Sequence, residues 1–377
     1  MKITEVRVYP VDLTLTGKAV KGPKKLLFIK LMTDEGIAGY GETSEIPFEM
    51  ASTVRMIEEV VSQLVVGTDP HDTEILHRKI YMRAYTGRPE KTLMSVLSVI
   101  DMACWDIVGK AAGQPVCNLL GGICRDTIRT YTYLYSNNRD KVRWQEDIAR
   151  YREMGFTALK FDPLPSNTGP VMLTSETLKN FESVVSNTRE AAGDQCDILV
   201  GSHGQFSTAE AVRIAGILEP YRPLWFEEPV GPENPEDMAL VARASRVPVA
   251  AGERLVGKHE FYRLIRLQGV GIIQPDLGRV GGLLEAKKIA GMAEAAYIQM
   301  APHVFAGPVL AAASVQLDIC SPNFLIQEGI YTWGDAWDLI LEEPFRWEKG
   351  YLVPSMKPGL GVTLNEDVLE HYAEKAE

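Results

Sequence analysis

Charged and imidazole side chains follow a series of short apolar segments in this sequence, each at the point where the segment ends. They are Lys160, Asp162, His203, Glu227, Glu253, Asp276, His303 and Glu328. Residues two apart in a strand share a face, so Lys160 and Asp162 point the same way. If the segments are parallel barrel strands, their carboxyl ends meet at one mouth, where barrel enzymes carry their chemistry. The pattern predicts an active site centred on Asp276 and His303.

Each of these residues also has an ordinary structural explanation. Glu227 and Glu228 precede a proline and would suit a solvated turn. Glu253 would suit a loop acid, and His303 a structural histidine. Independent accidents would not place polar groups at the end of nearly every segment, so the set as a whole favours a functional site.

The apolar segments alternate with amphipathic stretches, the pattern typical of a parallel sheet covered by helices. The predicted strands lie around Tyr131 and at residues 158–161, 198–200, 224–226, 249–251, 272–273, 298–300 and 324–326. About eight such strands close a (β/α)8-type barrel, which places the protein in the α/β class.

The sequence before the barrel has a different pattern. Residues 26–33 and 37–42 read as a hairpin, and residues 50–64 and 93–112 as helices, the second ending at Gly113. After about Glu342 the alternation is lost. We therefore predict an α+β capping domain over residues 1–125, the barrel over 126–341, and a C-terminal segment, 342–377, that returns to complete the capping domain.

Composition limits the partners. The chain has 377 residues and a formal charge of -11, which makes nucleic acid an unsuitable partner. No uninterrupted apolar stretch has the length of a membrane span, and no signal peptide begins the sequence, so neither a membrane partner nor export is expected. The five scattered cysteines suit reduced thiols in a cytoplasmic protein.

Several local motifs together resemble the enolase superfamily, and within its mandelate racemase branch the sugar-acid dehydratases of the galactonate type. The motifs are IDMACWDIVGK at 100–110, LLGG at 119–122, FEEP at 226–229, AGE at 251–253, QPD at 274–276, GG at 281–282, APH at 301–303 and PGLG at 358–361. Any one alone is weak, but together they are specific and cover essentially the whole chain.

The resemblance implies a Mg²⁺ ion held by carboxylates at the ends of the third, fourth and fifth barrel strands. Two of these ligands match Glu227 and Glu253. A proton α to a carboxylate is a very weak acid, so its removal requires that the enediolate be neutralised as it forms. No other cofactor is implied.

The resemblance also implies roles for the remaining residues. His303 matches the histidine that takes the α-proton, and Asp276 the aspartate that fixes its tautomer. His203 matches the acid that protonates the departing β-hydroxyl. Glu328 matches an acid that hydrogen-bonds the substrate carboxylate, and Lys160 a lysine that orients or neutralises the substrate.

Two departures from the family pattern fall side by side. The third strand of the family carries Asp-x-His-Gly, but this chain reads Gly201-Ser-His-Gly, which removes one ligand. The second strand reads Lys160-Phe-Asp162 instead of Lys-x-Lys, which disfavours a two-base racemase. We hypothesise that Asp162 replaces the lost carboxylate, or that His203 moves inward to ligate; the alternative is a metal weakly held or lost.

The leading functional hypothesis is a Mg²⁺-dependent lyase that converts an acid sugar to a 2-keto-3-deoxy acid. The alternatives are a cycloisomerase or epimerase of a related acid, and a metal-deficient barrel that only binds a sugar acid. Specificity is expected to come from capping-domain loops around 16–25 and 45–50, with Arg83 or Arg88. Homo-oligomers are usual for the family.

Overall fold

The N-terminal part of the chain forms a three-stranded antiparallel sheet. The computed structural model describes residues 1–18, 20–44, 50–83, 90–165, 173–329, 331 and 336–376. Strands β1 (Ile3–Asp12), β2 (Lys25–Thr33) and β3 (Ala38–Glu42) form this sheet in that order. The predicted hairpin is thus the β2–β3 pair, in which Phe28 lies opposite Glu42.

Four helices follow in the described part of the capping region: α1 (Ala51–Val60), α2 (Thr73–Arg83), α3 (Lys91–Ala112) and α4 (Val116–Leu119). A π-helical turn, Val61–Val65, extends α1. In α3, Glu90 accepts the backbone N–H groups of Thr92 and Leu93, and Gly113 ends the helix at φ 62°.

Helix α3 is long and apolar enough to cross a membrane by length and composition alone. It is not the uninterrupted apolar stretch that the sequence was expected to lack, because it contains Asp101 and Asp106. In addition, 78% of its apolar window is buried inside the protein, because β3 and the neighbouring helices pack around it. A buried core helix meets the same criteria of length and composition.

The middle of the chain is a closed barrel of parallel strands joined by helices, as predicted. Its strands are β4 (Ile128–Tyr133), β5 (Ala158–Phe161), β6 (Asp197–Gly201), β7 (Trp225–Glu227), β8 (Val249–Ala251), β9 (Ile272–Ile273), β10 (Gln299–Met300) and β11 (Gln327–Glu328). The helices between them are α5 (Lys141–Glu153), α6 (Ser175–Ala192), α7 (Thr208–Leu218), α8 (Pro235–Ala244), α9 (Gly257–Arg266), α10 (Gly282–Ala295) and α11 (Pro308–Ile319).

The barrel closes through a two-part eighth strand. Phe324 bridges Met300 of β10, and three residues later β11 pairs in parallel with β4, where Glu328 lies opposite Tyr131. The observed strand β11 therefore begins after the predicted strand at 324–326. The segment pairs with β10 at residue 324 and with β4 from residue 327, so its regular pairing lies C-terminal to its apolar residues.

A layer of apolar side chains fills the barrel beneath the predicted site. It includes Tyr131, Ala158, Leu199, Trp225, Ala250, Ile272 and Ile326. Several of these precede a site residue by two positions on the same strand, as Ala158 precedes Lys160 and Trp225 precedes Glu227. The two-residue period of a strand thus places polar groups directly above a packed floor.

The C-terminal segment touches both parts of the protein. Strands β12 (Arg346–Glu348) and β13 (Tyr351–Val353) form a hairpin that pairs with β4. Helix α12 (Glu366–Ala376) lies on the N-terminal sheet, where Lys30 donates to Glu366 at 2.6 Å. The division at residues 125 and 341 stays a proposal.

Glu42, the last residue of β3, joins the N-terminal sheet to the barrel. Its carboxylate accepts the backbone N–H groups of Val309 and Leu310, both at 3.0 Å, at the beginning of α11. The side chain is fully buried. Burial raises the pKa of Glu42 to about 8, although the N–H donors act in the opposite direction.

This raised pKa predicts that stability falls as pH rises. Between pH 4.5, the ordinary value, and about 8, the folded chain holds a proton that the unfolded chain has lost. The unfolding free energy then decreases by up to about 1.4 kcal/mol per pH unit. Glu42→Gln, which cannot titrate, should gain in melting temperature over the wild type between pH 5 and pH 8. Circular dichroism melts measure this difference, with exposed Glu5→Gln as the control; a constant difference would contradict it.

Candidate active site

All eight predicted site residues lie at the carboxyl ends of barrel strands. Lys160, Glu227 and Glu328 are strand residues, while Asp162, His203, Glu253, Asp276 and His303 follow their strands by one to three positions. Six of them line one cavity of about 1400 Å³: Lys160, Asp162, His203, Glu253, His303 and Glu328. The structure therefore brings the predicted set together at a single mouth, with Glu227 and Asp276 buried behind it.

His303 and Asp276 form a hydrogen-bonded pair. The Nδ1 atom of His303 lies 2.8 Å from Oδ2 of Asp276. Because a carboxylate accepts, Nδ1 carries the proton and Nε2 is left as the basic nitrogen. The other oxygen of Asp276 accepts the backbone N–H of Gly278 at 2.9 Å. This arrangement holds the imidazole in the tautomer that a general base requires.

Two more carboxylates face the basic nitrogen of His303. Its Nε2 atom lies 3.6 Å from Glu253 Oε2 and 3.9 Å from Glu328 Oε2. Burial alone would lower the pKa of His303, but Glu253, Glu328 and Asp276 outweigh it and raise the pKa above its ordinary value. For Glu253, in turn, burial is outweighed by His303 and Lys160, which lower its pKa to about 2. Glu253 is therefore ionised at neutral pH.

Lys160 is paired with Glu227 directly above the apolar layer of the barrel. Its ammonium contacts Glu227 Oε1 directly, while Trp225 Nε1 and Gln274 Nε2 each donate to Oε2 at 2.8 Å. Lys160 Nζ also lies 3.8 Å from Glu328 Oε1. Burial would lower the pKa of Lys160, but the surrounding groups, chiefly Glu227, raise it well above its ordinary value. The cavity thus contains one buried, permanently charged ammonium.

The departures at positions 162 and 201 are structurally linked. A Cβ atom built on Gly201 would lie 2.3 Å from Asp162 Oδ1, closer than real side chains approach. The carboxylate of Asp162 therefore occupies the space in which a side chain at position 201 would begin. A side chain at position 201 would therefore require the carboxylate of Asp162 to move.

Asp162 also contacts His203. Its Oδ2 atom lies 3.2 Å from His203 Nδ1, an ion-pair distance, but the two groups are not aligned for a hydrogen bond. Burial would lower the pKa of His203, but Asp162 and Glu253 raise it to about 9. A histidine with this pKa is protonated at neutral pH. His203 can therefore donate a proton from a position on the cavity wall.

The structure corrects the ordinary explanation for Glu228. Its side chain is 1% exposed, accepts the backbone N–H of Gly252 at 2.9 Å and is bound by Arg254 through two nitrogens. Glu227 is likewise 1% exposed. Neither residue belongs to a solvated turn, because both carboxylates are buried and accept hydrogen bonds inside the barrel.

Sequence patterns missed several residues of the site. Arg279 is 6% exposed, lines the cavity and donates to the backbone oxygen of Glu253 at 3.2 Å. Gln274, part of the QPD motif, holds Glu227. The only signal for Arg279 was its position three residues after Asp276. None of the described residues in the predicted loop at 16–25 lines the cavity, nor does Arg83; residues 45–49 and Arg88 lie outside the described ranges.

Comparison with known proteins identifies the family of this chain. Residues 2–121 match the family model described as the N-terminal domain of mandelate racemase / muconate lactonizing enzyme, and residues 143–368 match enolase C-terminal domain-like. The chain belongs to the mandelate racemase/muconate lactonizing enzyme family. The resemblance inferred from its motifs is confirmed, and so is the α/β barrel fold.

Individual members of the family are similar over nearly their whole length. The D-galactonate dehydratase of Klebsiella pneumoniae (strain 342) is 38% identical over 94% of this chain and 92% of its own. That of Pectobacterium atrosepticum is 35% identical, over 100% of this chain and 95% of its own. A solved structure from Labrenzia alexandrii DFL-11 is 45% identical, with a TM-score of 0.94 over 99% of this chain and 97% of that one.

Members of this family generally use Mg²⁺, and the donor set here fits such an ion in chemistry. Both oxygens of Asp162, and Oε2 of Glu253, are buried without a hydrogen-bond partner. Unsatisfied carboxylate oxygens are what a hard divalent cation binds. Within the described residues, no three ligand side chains are already gathered close enough to hold an ion. Binding at Glu227 would require Lys160 to move to another acceptor.

Proposed function

We propose that this chain is a Mg²⁺-dependent dehydratase that removes water from a sugar acid of the galactonate type. The names of its relatives support a hydro-lyase of the enolase superfamily. The observation that carries the proposal is that one cavity is lined by two histidines suited to opposite roles, one as a base and one as an acid. His303 is oriented as a base by Asp276, and His203 is held protonated beside Asp162.

The residues divide the reaction between them. Nε2 of His303 takes the proton from the carbon next to the substrate carboxylate, and the electrons of that bond form an enediolate. His203 then gives its proton to the β-hydroxyl, which leaves as water as the β-carbon–oxygen bond breaks. The resulting enol becomes the 2-keto-3-deoxy acid. Lys160 and Glu328 hold the substrate carboxylate, the first by its charge and the second by a hydrogen bond.

The ion would be held by Glu227, Glu253 and Asp162. When bound, it would supply positive charge to neutralise the enediolate as it forms. Asp162 is the member of this set that the family pattern lacks. It is proposed because its carboxylate fills the space beside Gly201 and neither of its oxygens forms an aligned hydrogen bond. His203 remains the alternative replacement ligand.

Asp162→Ala is expected to weaken Mg²⁺ binding, because it removes one of three carboxylates. Isothermal titration with MgCl₂ should show a dissociation constant raised by about tenfold, the equivalent of about 1.4 kcal/mol. Glu253→Gln is the matched control, since Glu253 is a ligand under either replacement scheme. If Asp162→Ala binds Mg²⁺ as tightly as the wild type while Glu253→Gln does not, Asp162 is not a ligand.

The function itself is tested by incubating the protein with a panel of sugar acids, MgCl₂ and D₂O. Semicarbazide detects a keto acid, and proton NMR detects exchange of the α-proton. Keto-acid formation from a galactonate-type acid is expected. Exchange without a keto acid would indicate an epimerase or cycloisomerase, and binding without exchange would indicate a sugar-acid binder; either result would overturn the proposal.

A further inference from the structure

The end of β3 reaches from the N-terminal sheet into the barrel at the catalytic pair. Glu42 binds the beginning of α11, which follows His303 in the chain. Two residues later, Ser44 is 3% exposed and lies against Asp276. This segment thus contacts Asp276 itself and the helix that follows His303.

The hydroxyl of Ser44 lies between a cation and the carboxylate that orients the base. It donates to Asp276 Oδ2 at 2.9 Å and accepts from Arg279 Nε at 2.7 Å. The same Arg279 nitrogen is 3.4 Å from Asp276 Oδ2, too long for a good direct hydrogen bond. Oδ2 is also the atom that accepts from His303 Nδ1. Ser44 and His303 therefore share one oxygen, and Arg279 lies at ion-pair distance from it without a direct hydrogen bond.

The local backbone is shaped for this approach. A Cβ atom on Gly278 would lie 2.4 Å from the backbone nitrogen of Ser44. Any side chain at position 278 would push the segment away from Asp276. The close contact between Ser44 and the loop after β9 is thus a feature that a glycine makes possible.

We propose that Ser44 is a positioning residue for the base, whose hydroxyl holds Arg279 at ion-pair distance from Asp276 and prevents a direct hydrogen bond between the guanidinium and Oδ2. A guanidinium binds carboxylates through parallel hydrogen bonds and would compete with the imidazole for Oδ2. With Ser44 in place, the arginine is satisfied by the hydroxyl and by the backbone oxygen of Glu253. The expected fall in kcat rests on the proposed function. The expected change in the hydrogen bond between His303 and Asp276 does not.

Ser44→Ala is the first test. Without the hydroxyl, Arg279 closes on Asp276 and draws the carboxylate away from His303. We expect kcat and the rate of α-proton exchange to fall together by about tenfold, since small misplacements of a catalytic group are costly. KM should change by less than about twofold, because the substrate's own contacts are kept. Ser44→Thr retains a hydroxyl and should recover most of the rate.

Ser98→Ala is the matched control. Ser98 is also fully buried, and its hydroxyl accepts the backbone N–H of Gly281 at 2.9 Å, so it joins α3 to the barrel without touching the pair. A general loosening between the two parts of the protein would affect both variants. Equal losses of kcat in Ser44→Ala and Ser98→Ala would overturn the positioning role.

A spectroscopic measurement separates this inference from the proposed function. The His303 Nδ1 proton, bonded to a buried carboxylate, should give a downfield proton resonance in ¹⁵N-histidine-labelled protein, identified by its loss in His303→Asn. Ser44→Ala should shift that resonance upfield, and Ser44→Thr should restore it. An unchanged resonance in Ser44→Ala would overturn the inference even if dehydration is observed. A shifted resonance in a protein that dehydrates no sugar acid would reject the proposed function alone.

Discussion

Replacing His303 with asparagine is expected to abolish both α-proton exchange and dehydration, with a loss of at least about a thousandfold in kcat. The imidazole provides the basic Nε2 atom, which lies 3.6 Å from Glu253 and 3.9 Å from Glu328 on the cavity wall, and asparagine has no comparable base. Its amide can still donate to Asp276, so the buried carboxylate keeps a partner. Proton NMR in D₂O and the semicarbazide assay measure the two steps separately.

His203→Asn provides the informative comparison. If His203 is the acid for the leaving hydroxyl, this variant should keep α-proton exchange while losing keto-acid formation. The order of the two steps is thereby tested within one protein. Retention of exchange in His303→Asn would show that another group is the base, and loss of exchange in both variants would place the two histidines in a single step.

Lys160→Met is expected to lower kcat/KM by about a hundred- to a thousandfold, because it removes the buried charge that receives the substrate carboxylate. The methionine has similar length but leaves Glu227 without its ammonium partner, so some loss of melting temperature should accompany it. Steady-state kinetics and thermal melts must therefore be measured together.

Three variants separate the catalytic effect of Lys160 from the structural one. Lys160→Met combined with Glu227→Gln relieves the unpaired charge and should recover stability, while activity stays low because the pair also removes a proposed Mg²⁺ ligand; Glu227→Gln alone measures that part of the loss. Lys287→Met serves as the control, since Lys287 donates to the backbone oxygen of Cys320 at 2.6 Å and does not line the cavity. Recovery of kcat/KM in the double variant would contradict a direct role for Lys160.

The fold and most of the candidate site could be predicted because their signals are local. Each barrel strand is a short apolar run, and its site residue follows within a few positions, so the alternation of segments places the mouth. Lys160 and Glu227, for example, required only the period of two along a strand and the rule that parallel strands end together. The eighth strand was misplaced because its pairing changes partway from β10 to β4.

Contacts between distant parts of the chain could not be predicted from such local patterns. Ser44 precedes Asp276 by 232 positions, and nothing in its neighbours distinguishes it from any polar residue after a strand. Glu228 looked solvated because the sequence does not show that Arg254 and the Gly252 N–H would meet it. These pairings follow from how the N-terminal sheet and the barrel loops pack, which no periodicity encodes.

The carboxylate of Asp162 occupies the space in which a side chain at position 201 would begin. This constrains how the site can change by mutation. An aspartate introduced at position 201 first would meet the carboxylate of Asp162 at 2.3 Å from its own Cβ atom. A smaller residue introduced at 162 first would leave His203 without its anionic neighbour but would create no clash. A mutational path back to the usual ligand pattern therefore has a preferred order, with position 162 changing before position 201.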